Sequence, residues 1–228
     1  MFNKKTQAFT MSEILIAMTI IAVLAVMTLP ALISNSTSRA NNLRAKTGFN
    51  NLANALQIAS ARLDYDLSEI TALTGSGNTL QSLLTKTMDV NVQTSASHPF
   101  SGAPFKVDGT TGAVSKDTAT TTLTGTTIFE ARNGIFYIFP ANSKISTEGC
   151  TKAHPCIAYI DVNGKEGPNT ILTCATSTAE TVWVKDTSFT SCAISPSNFA
   201  DIYPIVVYDG SVRPANNAFN ALLSTTDD

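Results

Sequence analysis

The hydrophobic positions near the start of the chain form one unbroken run. Residues 14–33 carry no charged side chain, and only Thr19, Thr28 and Pro30 among them are not plainly apolar. A helix of about 20 residues is about 30 Å long, which matches the hydrocarbon core of a bilayer. Two lysines precede the run and favour an N-terminus that stays in the cytoplasm. The pattern therefore predicts a membrane-spanning helix.

Beyond this run the apolar positions recur at steps of three and four, as on one face of an amphipathic helix. The residues of this stripe are Ala45, Phe49, Leu52, Leu56, Ala59 and Leu63. We expect the stripe to pack against a globular head. Pro30 is expected to kink or loosen the helix because it removes a backbone hydrogen bond, and Gly48 is expected to weaken it.

The rest of the chain predicts an α+β head in which an antiparallel β-sheet lies on the long helix. The clearest signal is Thr126–Pro140, where Asn133-Gly134 separates two runs of strand formers and predicts a hairpin. Short helical pieces are expected between 64 and 89, with Asn78 or Thr79 as a cap. Residues 91–123 are rich in Ser, Thr and Gly and predict loops and short strands. The other predicted strands are 105–108, 156–162, 181–185 and 202–208.

Composition narrows the classes of function. Apolar residues make up 43% of the 228 positions, charged residues 14%, and the net charge is -2. The sequence has no excess of basic residues, so its charge does not indicate a nucleic-acid partner. The sequence has none of the common motifs for a hydrolase nucleophile, a zinc protease or a phosphate loop. His98 and His154 each precede a proline, and neither has an obvious nucleophile and carboxylate to complete a triad. We therefore predict no enzymatic activity.

The four cysteines, Cys150, Cys156, Cys174 and Cys192, indicate disulfides and an oxidising compartment. Three pairings are possible, and the sequence does not choose among them. We favour the local pairs 150–156 and 174–192. The alternative is a zinc site formed by Cys150, His154, Cys156 and Cys174, whose spacing is not a common zinc signature.

One carboxylate stands in the first turn of the apolar helix, where a charged group is costly and suggests a function. The surrounding segment, residues 8–33, resembles the N-terminus of type IV pilins and of type II secretion pseudopilins. The pattern consists of a small residue, Ala8, then Phe9 and Thr10, a glutamate at the fifth mature position, Glu13, and Pro30 at the twenty-second. Ala8 departs from the usual Gly at the cut.

The resemblance implies cleavage between Ala8 and Phe9 by a prepilin peptidase, followed by N-methylation of Phe9. It divides the chain into a leader (1–8), a transmembrane or filament-core helix (9–33), an amphipathic helix (34–63) and a head (64–228). Glu13 of one subunit would meet the Phe9 amine of the next, because burying a charge is tolerable only in a pair. The implied partners are other pilin-like subunits, the peptidase and an inner-membrane assembly platform. The head would lie outside the cytoplasm, and the filament in the periplasm or at the cell surface.

A second motif, Asp161-Val-Asn163-Gly-Lys-Glu-Gly-Pro-Asn169, resembles a segment common in pilin-like proteins. Oxygen atoms of Asp161, Asn163 and Asn169 are candidates for a calcium site, since major pseudopilins bind calcium in this part of the fold. The loop is not an EF-hand, because its sixth position is Glu166 and its twelfth is Leu172. The favoured interpretation is that these side chains cap turns through the local backbone. No other cofactor is predicted.

Other interpretations remain for the N-terminus. An ordinary signal peptidase could cut after Ser38-Arg39-Ala40 and release a secreted binding module or adhesin, although the apolar run exceeds the usual signal length. The run could also be an uncleaved anchor of a binding module or, more remotely, of a hydrolase. The first residue of the mature protein distinguishes these interpretations. It is Phe9 after prepilin peptidase, Asn41 after an ordinary signal peptidase, and Met1 in an uncleaved anchor.

Overall fold

The computed structural model describes residues 10–63, 65–99, 105–107, 114–116, 122–140, 149–174, 189, 192–194 and 200–225. Its largest element is helix α1, which runs from Met11 to Leu63 over 53 residues. The helix continues through Pro30 and Gly48, so neither residue ends it. The two predicted helical segments are therefore parts of one helix.

Shorter helices begin at polar caps. Helix α2 is Leu80–Thr87, and the Thr79 hydroxyl accepts a hydrogen bond from the Ser82 N–H at 3.1 Å, as the sequence predicts. A 3-10 turn covers Leu67–Glu69. Helix α3, Asn217–Ser224, begins where the Asn216 side chain accepts from the Phe219 N–H at 2.9 Å, and the sequence analysis missed it.

The described strands are β1 (Val90–Pro99), β2 (Phe105–Val107), β3 (Val114–Lys116), β4 (Thr122–Ala131), β5 (Phe136–Phe139), β6 (Cys156–Asp161), β7 (Ile202–Tyr208) and β8 (Ser211–Pro214). They form a six-stranded antiparallel sheet in the order β1-β4-β5-β6-β7-β8 and a separate two-stranded ribbon, β2-β3. This sheet beside a long helix confirms the α+β class.

The predicted hairpin at Asn133-Gly134 is confirmed as the β4–β5 connection, where Gly134 has a φ of 77°. Two expectations need correction. The polar segment after residue 90 is not only loops and short strands, because β1 is ten residues long and pairs with β4. Strand β8 was not predicted. The strand predicted at 181–185 lies outside the described residues.

The predicted stripe of α1 faces the sheet and forms the inner core. Ala45, Leu52, Leu56 and Ala59 are at most 2% exposed, and Phe49 and Leu63 are partly buried. Four of these six positions are thus fully covered, which confirms the amphipathic second half.

Gly48 lies where this helix packs against the sheet. The Tyr137 hydroxyl donates a hydrogen bond to the Gly48 carbonyl at 3.0 Å. A Cβ added at Gly48 would lie 3.1 Å from Ile160 Cγ2 and 3.3 Å from side-chain atoms of Ile135. The glycine therefore allows close packing of helix on sheet, a role that helix propensity alone does not indicate.

The opposite face of the sheet is also buried, and we call its apolar residues the outer cluster. Every residue of β6 is buried, as are six of the seven in β7, so both faces of these strands are covered. The outer cluster consists of Leu123, Ile128, Ile138, Ile157, Tyr159, Ile171, Ile202, Val206 and Ala215. A sheet covered on one face by a helix was expected, and the second core was not.

Candidate functional site

Helix α1 begins with a reciprocal cap between Thr10 and Glu13. The Thr10 N–H and the Thr10 hydroxyl both donate to Glu13 Oε2 at 2.8 Å, and the Glu13 N–H donates to Thr10 Oγ1 at 3.3 Å. This is a capping box, which satisfies N–H groups that a helix leaves free at its start. A carboxylate at this end also interacts favourably with the helix dipole. Glu13 thus has a role within its own subunit, which the Thr-x-x-Glu spacing could have revealed.

The first half of α1 is uncovered. The segment Met11–Leu29 has a mean hydropathy of 2.3, and none of it is buried within the subunit. Met11 is 83% exposed, Val26 74% and Met27 73%. The part of the chain that the structure describes has one helix that is long and apolar enough to cross a membrane, and this segment is its apolar part. A continuous apolar surface of this size indicates a lipid or protein partner.

Three other residues of this segment were predicted to have a role: Ala8, Phe9 and Pro30. Ala8 and Phe9 lie outside the described residues, so the predicted cleavage and methylation stay predictions. Pro30 lies inside the continuous helix.

The second candidate region is the turn after β6, where Asp161 acts as a cap. Asp161 Oδ1 accepts hydrogen bonds from the Asn163 N–H at 3.0 Å and the Gly164 N–H at 2.9 Å. The side-chain amides of Asn163 and Asn169 donate to the carbonyls of Gly167 and Lys165, each at 3.4 Å. These contacts hold the turn together from inside and agree with the capping interpretation.

The second oxygen of Asp161 meets a histidine from a distant strand. His98 Nε2 lies 2.9 Å from Asp161 Oδ2, and both side chains are fully buried. His98 Nδ1 lies 2.8 Å from the Pro99 carbonyl oxygen. Since a carbonyl oxygen only accepts, Nδ1 donates to it in this geometry, and Nε2 faces the carboxylate of Asp161. Sequence reasoning missed this pair, because 63 residues separate its members.

Asp201, just before β7, holds the far end of the same turn. Its carboxylate accepts from the Asn169 N–H at 2.8 Å and the Thr170 N–H at 2.6 Å. Burial raises the pKa of Asp201, and the negative charge of Asp161 adds to the rise. Burial also raises the pKa of Asp161, and hydrogen bonds from His98 and the turn oppose this rise only in part.

The fit of these residues to calcium can be tested on their contacts. The buried side-chain oxygens of Asn163 and Asn169 accept no hydrogen bond, a property compatible with a hard cation. The oxygens of Asp161, however, already face two N–H groups and His98. In the part of the chain that the structure describes, no three His, Cys, Asp or Glu side chains are grouped to hold a metal ion. These contacts support the capping role of Asp161. The calcium site stays a prediction.

All four cysteines form disulfides, in the local pairing that the sequence analysis favoured. Cys150 pairs with Cys156 at a Cα–Cα distance of 5.2 Å, and Cys174 pairs with Cys192 at 5.7 Å. The zinc alternative is wrong, because no cysteine is left as a thiolate ligand. The first disulfide lies beside the 3-10 turn that follows α1, where the Cys150 N–H donates to the Leu67 carbonyl at 2.7 Å.

Comparison with known proteins gives one result for this chain. Residues 3–29 match the prokaryotic N-terminal methylation motif. No curated protein and no solved structure matches significantly. The motif is the signature of type IV pilins and pseudopilins, so the resemblance predicted from the first 33 residues is confirmed. It points to a structural subunit that begins as a membrane-anchored precursor.

Proposed function

We propose that this protein is a structural subunit of a type IV pilus-like filament or of a type II secretion pseudopilus. The observation that carries the proposal is the division of α1, which is uncovered and apolar over Met11–Leu29 and covered by the head further on. The match of the methylation motif to residues 3–29 supports it. A subunit of this form has one half of a helix available for lipid first and for neighbouring subunits afterwards.

The proposed sequence of events begins at the membrane. A prepilin peptidase cuts between Ala8 and Phe9 and methylates the new amine. The apolar helix, residues 9–33, stays as an anchor with the head, residues 64–228, outside the cytoplasm. An inner-membrane assembly platform then transfers the subunit into a periplasmic or surface filament, where the apolar helices bundle in the core.

Glu13 is proposed to select the axial position of each subunit. In the isolated subunit its carboxylate is satisfied by Thr10. When the helix is buried among others, the Phe9 amine of a neighbour supplies a positive partner, because an unpaired charge in that environment is strongly disfavoured. The capping contact therefore keeps the carboxylate hydrogen-bonded before assembly.

The alternative is a binding module or adhesin released by an ordinary signal peptidase. That enzyme would cut before Asn41, which lies inside α1 and whose side-chain amide donates to the Ala200 carbonyl at 3.2 Å in the head. The cleavage site would therefore be part of a helix in contact with the head, a feature that favours the filament proposal.

The test is the mature N-terminus, measured by intact-mass and peptide mass spectrometry of protein from a host that has prepilin peptidase. We expect an N-methylated Phe9. Ala8→Leu should block release of the leader, whereas Ala8→Gly, the matched control, should leave it at least as fast. A chain that begins at Asn41 or at Met1 contradicts the proposal. Electron microscopy with a label on the head then distinguishes a surface pilus from a short periplasmic pseudopilus.

A further inference from the structure

The paired strands β1 and β4 bend together part of the way along. Their register shifts between Gln93 and Ala96 and again between Ala96 and His98. Ser95 on one strand has a φ of 52°, and Gly125 on the other has a φ of 65°. These left-handed residues flank the paired positions Ala96 and Thr126, so both strands change direction at the same level. We call this level the hinge; it separates the inner part of the β1–β4 pair from its outer part.

We call the part beyond the hinge the outer arm, defined by residues 96–99 and 122–125. The arm belongs to β1 and β4, which lie three and two strands away from β6 in the sheet. Nevertheless Leu123 is 6% exposed and belongs to the outer cluster together with Ile157 of β6 and Val206 of β7. The arm therefore folds back across the face of the sheet opposite α1 and covers the second core.

A buried polar contact holds the arm in this position. His98 comes from the arm, and Asp161 comes from the end of β6, with 2.9 Å between Nε2 and Oδ2. At the hinge the Thr126 hydroxyl donates to the Ala96 carbonyl at 2.8 Å. The His98–Asp161 contact joins two elements that share no ladder hydrogen bonds, since among the described strands β1 pairs with β4 alone.

We propose that the outer arm is a hinged strap, and that the His98–Asp161 pair is its latch. The strap opens about Ser95 and Gly125 as a local unit and uncovers the outer cluster on β6 and β7 while the sheet stays folded. The Asp161 turn motif then has a second function, because the carboxylate that caps the turn also receives the histidine of the strap. The proposal concerns the head alone and holds whether or not the protein forms filaments.

Energetics favour a local opening at this place. Removing one partner of a buried polar contact is destabilising, because the other polar group stays buried without its partner. The arm carries one large apolar side chain of the outer cluster, Leu123, whereas β6 and β7 carry apolar side chains on both faces. Segments with few buried apolar contacts open at a lower free energy than the rest of a fold. The latch is therefore one of the contacts that keep the arm closed, together with the packing of Leu123.

The test is native-state hydrogen exchange on the full-length protein in detergent micelles, read by peptide mass spectrometry. Two variants remove the latch in different ways. Asp161→Asn removes the carboxylate and keeps an oxygen that accepts from Asn163 and Gly164, and His98→Leu removes both ring nitrogens. In both we expect protection in the arm to fall at least about tenfold, while protection in β7 changes by less than about twofold.

Leu222→Ala is the matched control, since Leu222 is 4% exposed in the inner core and distant from the arm in the fold. It should lower protection in β7 at least as much as in the arm. Equal losses in the arm and in β7 for both latch variants, or no loss in the arm, would overturn the proposal. If neither latch variant folds, the wild-type protein decides: arm amides must exchange at a lower free energy than β7 amides, and equal values refute the strap.

Discussion

The two halves of α1 belong to one continuous helix, yet their surroundings are opposite. In the first half the large apolar side chains are 44–83% exposed, whereas in the second half the inward-facing stripe is at most 2% exposed at Ala45, Leu52, Leu56 and Ala59. The first half is apolar on all sides, and the second is apolar on one side only. A helix that is apolar all round requires a partner outside its own head, and an amphipathic one is satisfied by the head. The comparison shows that one helix can serve assembly and folding in separate segments.

Charged side chains are also distributed differently between the two halves of α1. Between residues 14 and 63 the helix has no acidic side chain, and its basic residues, Arg39, Arg44, Lys46 and Arg62, all lie in the second half. Arg44 donates to the Val162 carbonyl at 3.1 Å, and Lys46 to the Thr225 carbonyl at 2.8 Å. These bonds tie the second half to the head, whereas the hydrogen bonds that the structure describes for Glu13 are with Thr10 in its own helix turn. Substitutions in the first half should therefore affect assembly and leave the head intact, and those in the second half should do the reverse.

The largest expected effect is on assembly, from Glu13. Glu13→Ala should reduce filament yield by more than about tenfold, because the neighbouring Phe9 amine would be buried without its partner. Glu13→Gln is the matched variant: its amide oxygen still accepts from Thr10, but its charge is gone. We expect it to fail as well, with the melting temperature of the head unchanged in both. Filaments are counted by electron microscopy; normal assembly of Glu13→Gln would assign the role of Glu13 to capping alone.

The next effect is on head stability, from Gly48. Gly48→Val places a branched side chain against Ile135 and Ile160, where even a Cβ would be 3.1 Å from its nearest neighbour. Overpacking of this kind typically costs about 1–3 kcal/mol. Ala61→Val adds the same side chain at an exposed position of the same helix and should cost about 0.5 kcal/mol or less. Denaturant titration of the two variants measures the difference; equal losses would mean that Gly48 has no packing role.

The sequence analysis predicted the features that depend on residues close to one another in the chain. The stripe of α1 has a period of 3.6, the β4–β5 hairpin has Asn133-Gly134 at its turn, and Thr79 begins α2, so short-range chemistry specified all three. The candidate turn was also identified correctly as a segment, because Asp161, Asn163 and Asn169 bond within it.

Features that depend on distant contacts were missed. Strand β1 is polar and was expected to be irregular, yet pairing with β4 makes it a long strand. The buried His98–Asp161 contact joins residues that no local pattern relates. Helix α3 is only eight residues long, and its apolar face is specified by the inner core rather than by a long periodic run. In each case tertiary structure decided what local propensity left open.

A smaller effect on stability is expected to distinguish the buried side of the second half of α1 from its exposed side. Asn41 is buried and donates to the Ala200 carbonyl at 3.2 Å, whereas Asn50 is exposed on the same helix. Asn41→Ala removes the hydrogen bond, and we expect a loss of about 1 kcal/mol in the free energy of unfolding. The Ala200 carbonyl still accepts from the Tyr203 hydroxyl at 3.2 Å, which limits the loss. Asn50→Ala should leave stability unchanged or slightly higher, and melting curves of the pair test this; equal losses would contradict the assigned role.

The smallest effect concerns pH, and it belongs to the head side of the comparison. Burial is the largest cause that raises the pKa of Asp161, Asp201 and Asp209. A carboxyl group whose pKa is higher in the folded than in the unfolded protein binds its proton more tightly when folded. Its contribution to stability is therefore fully present below the unfolded pKa of about 3.9, and it is lost as the pH rises through the raised pKa of the folded state. We expect the free energy of unfolding to fall across this window.

The measurement is a set of denaturant titrations of the full-length protein in detergent from mildly acidic to neutral pH. Asp201→Asn removes one of the groups, so the decline in stability across the window should become shallower, whatever the variant does to stability itself. Asn41→Ala is the matched control, because it exchanges one neutral side chain for another beside Ala200, the neighbour of Asp201, and should keep the wild-type slope. Hydrogen bonds from the N–H groups of Asn169 and Thr170 favour the charged form of Asp201 and keep the change small. If stability rose with pH across the window in the wild-type protein, burial would not be the dominant influence on these carboxylates.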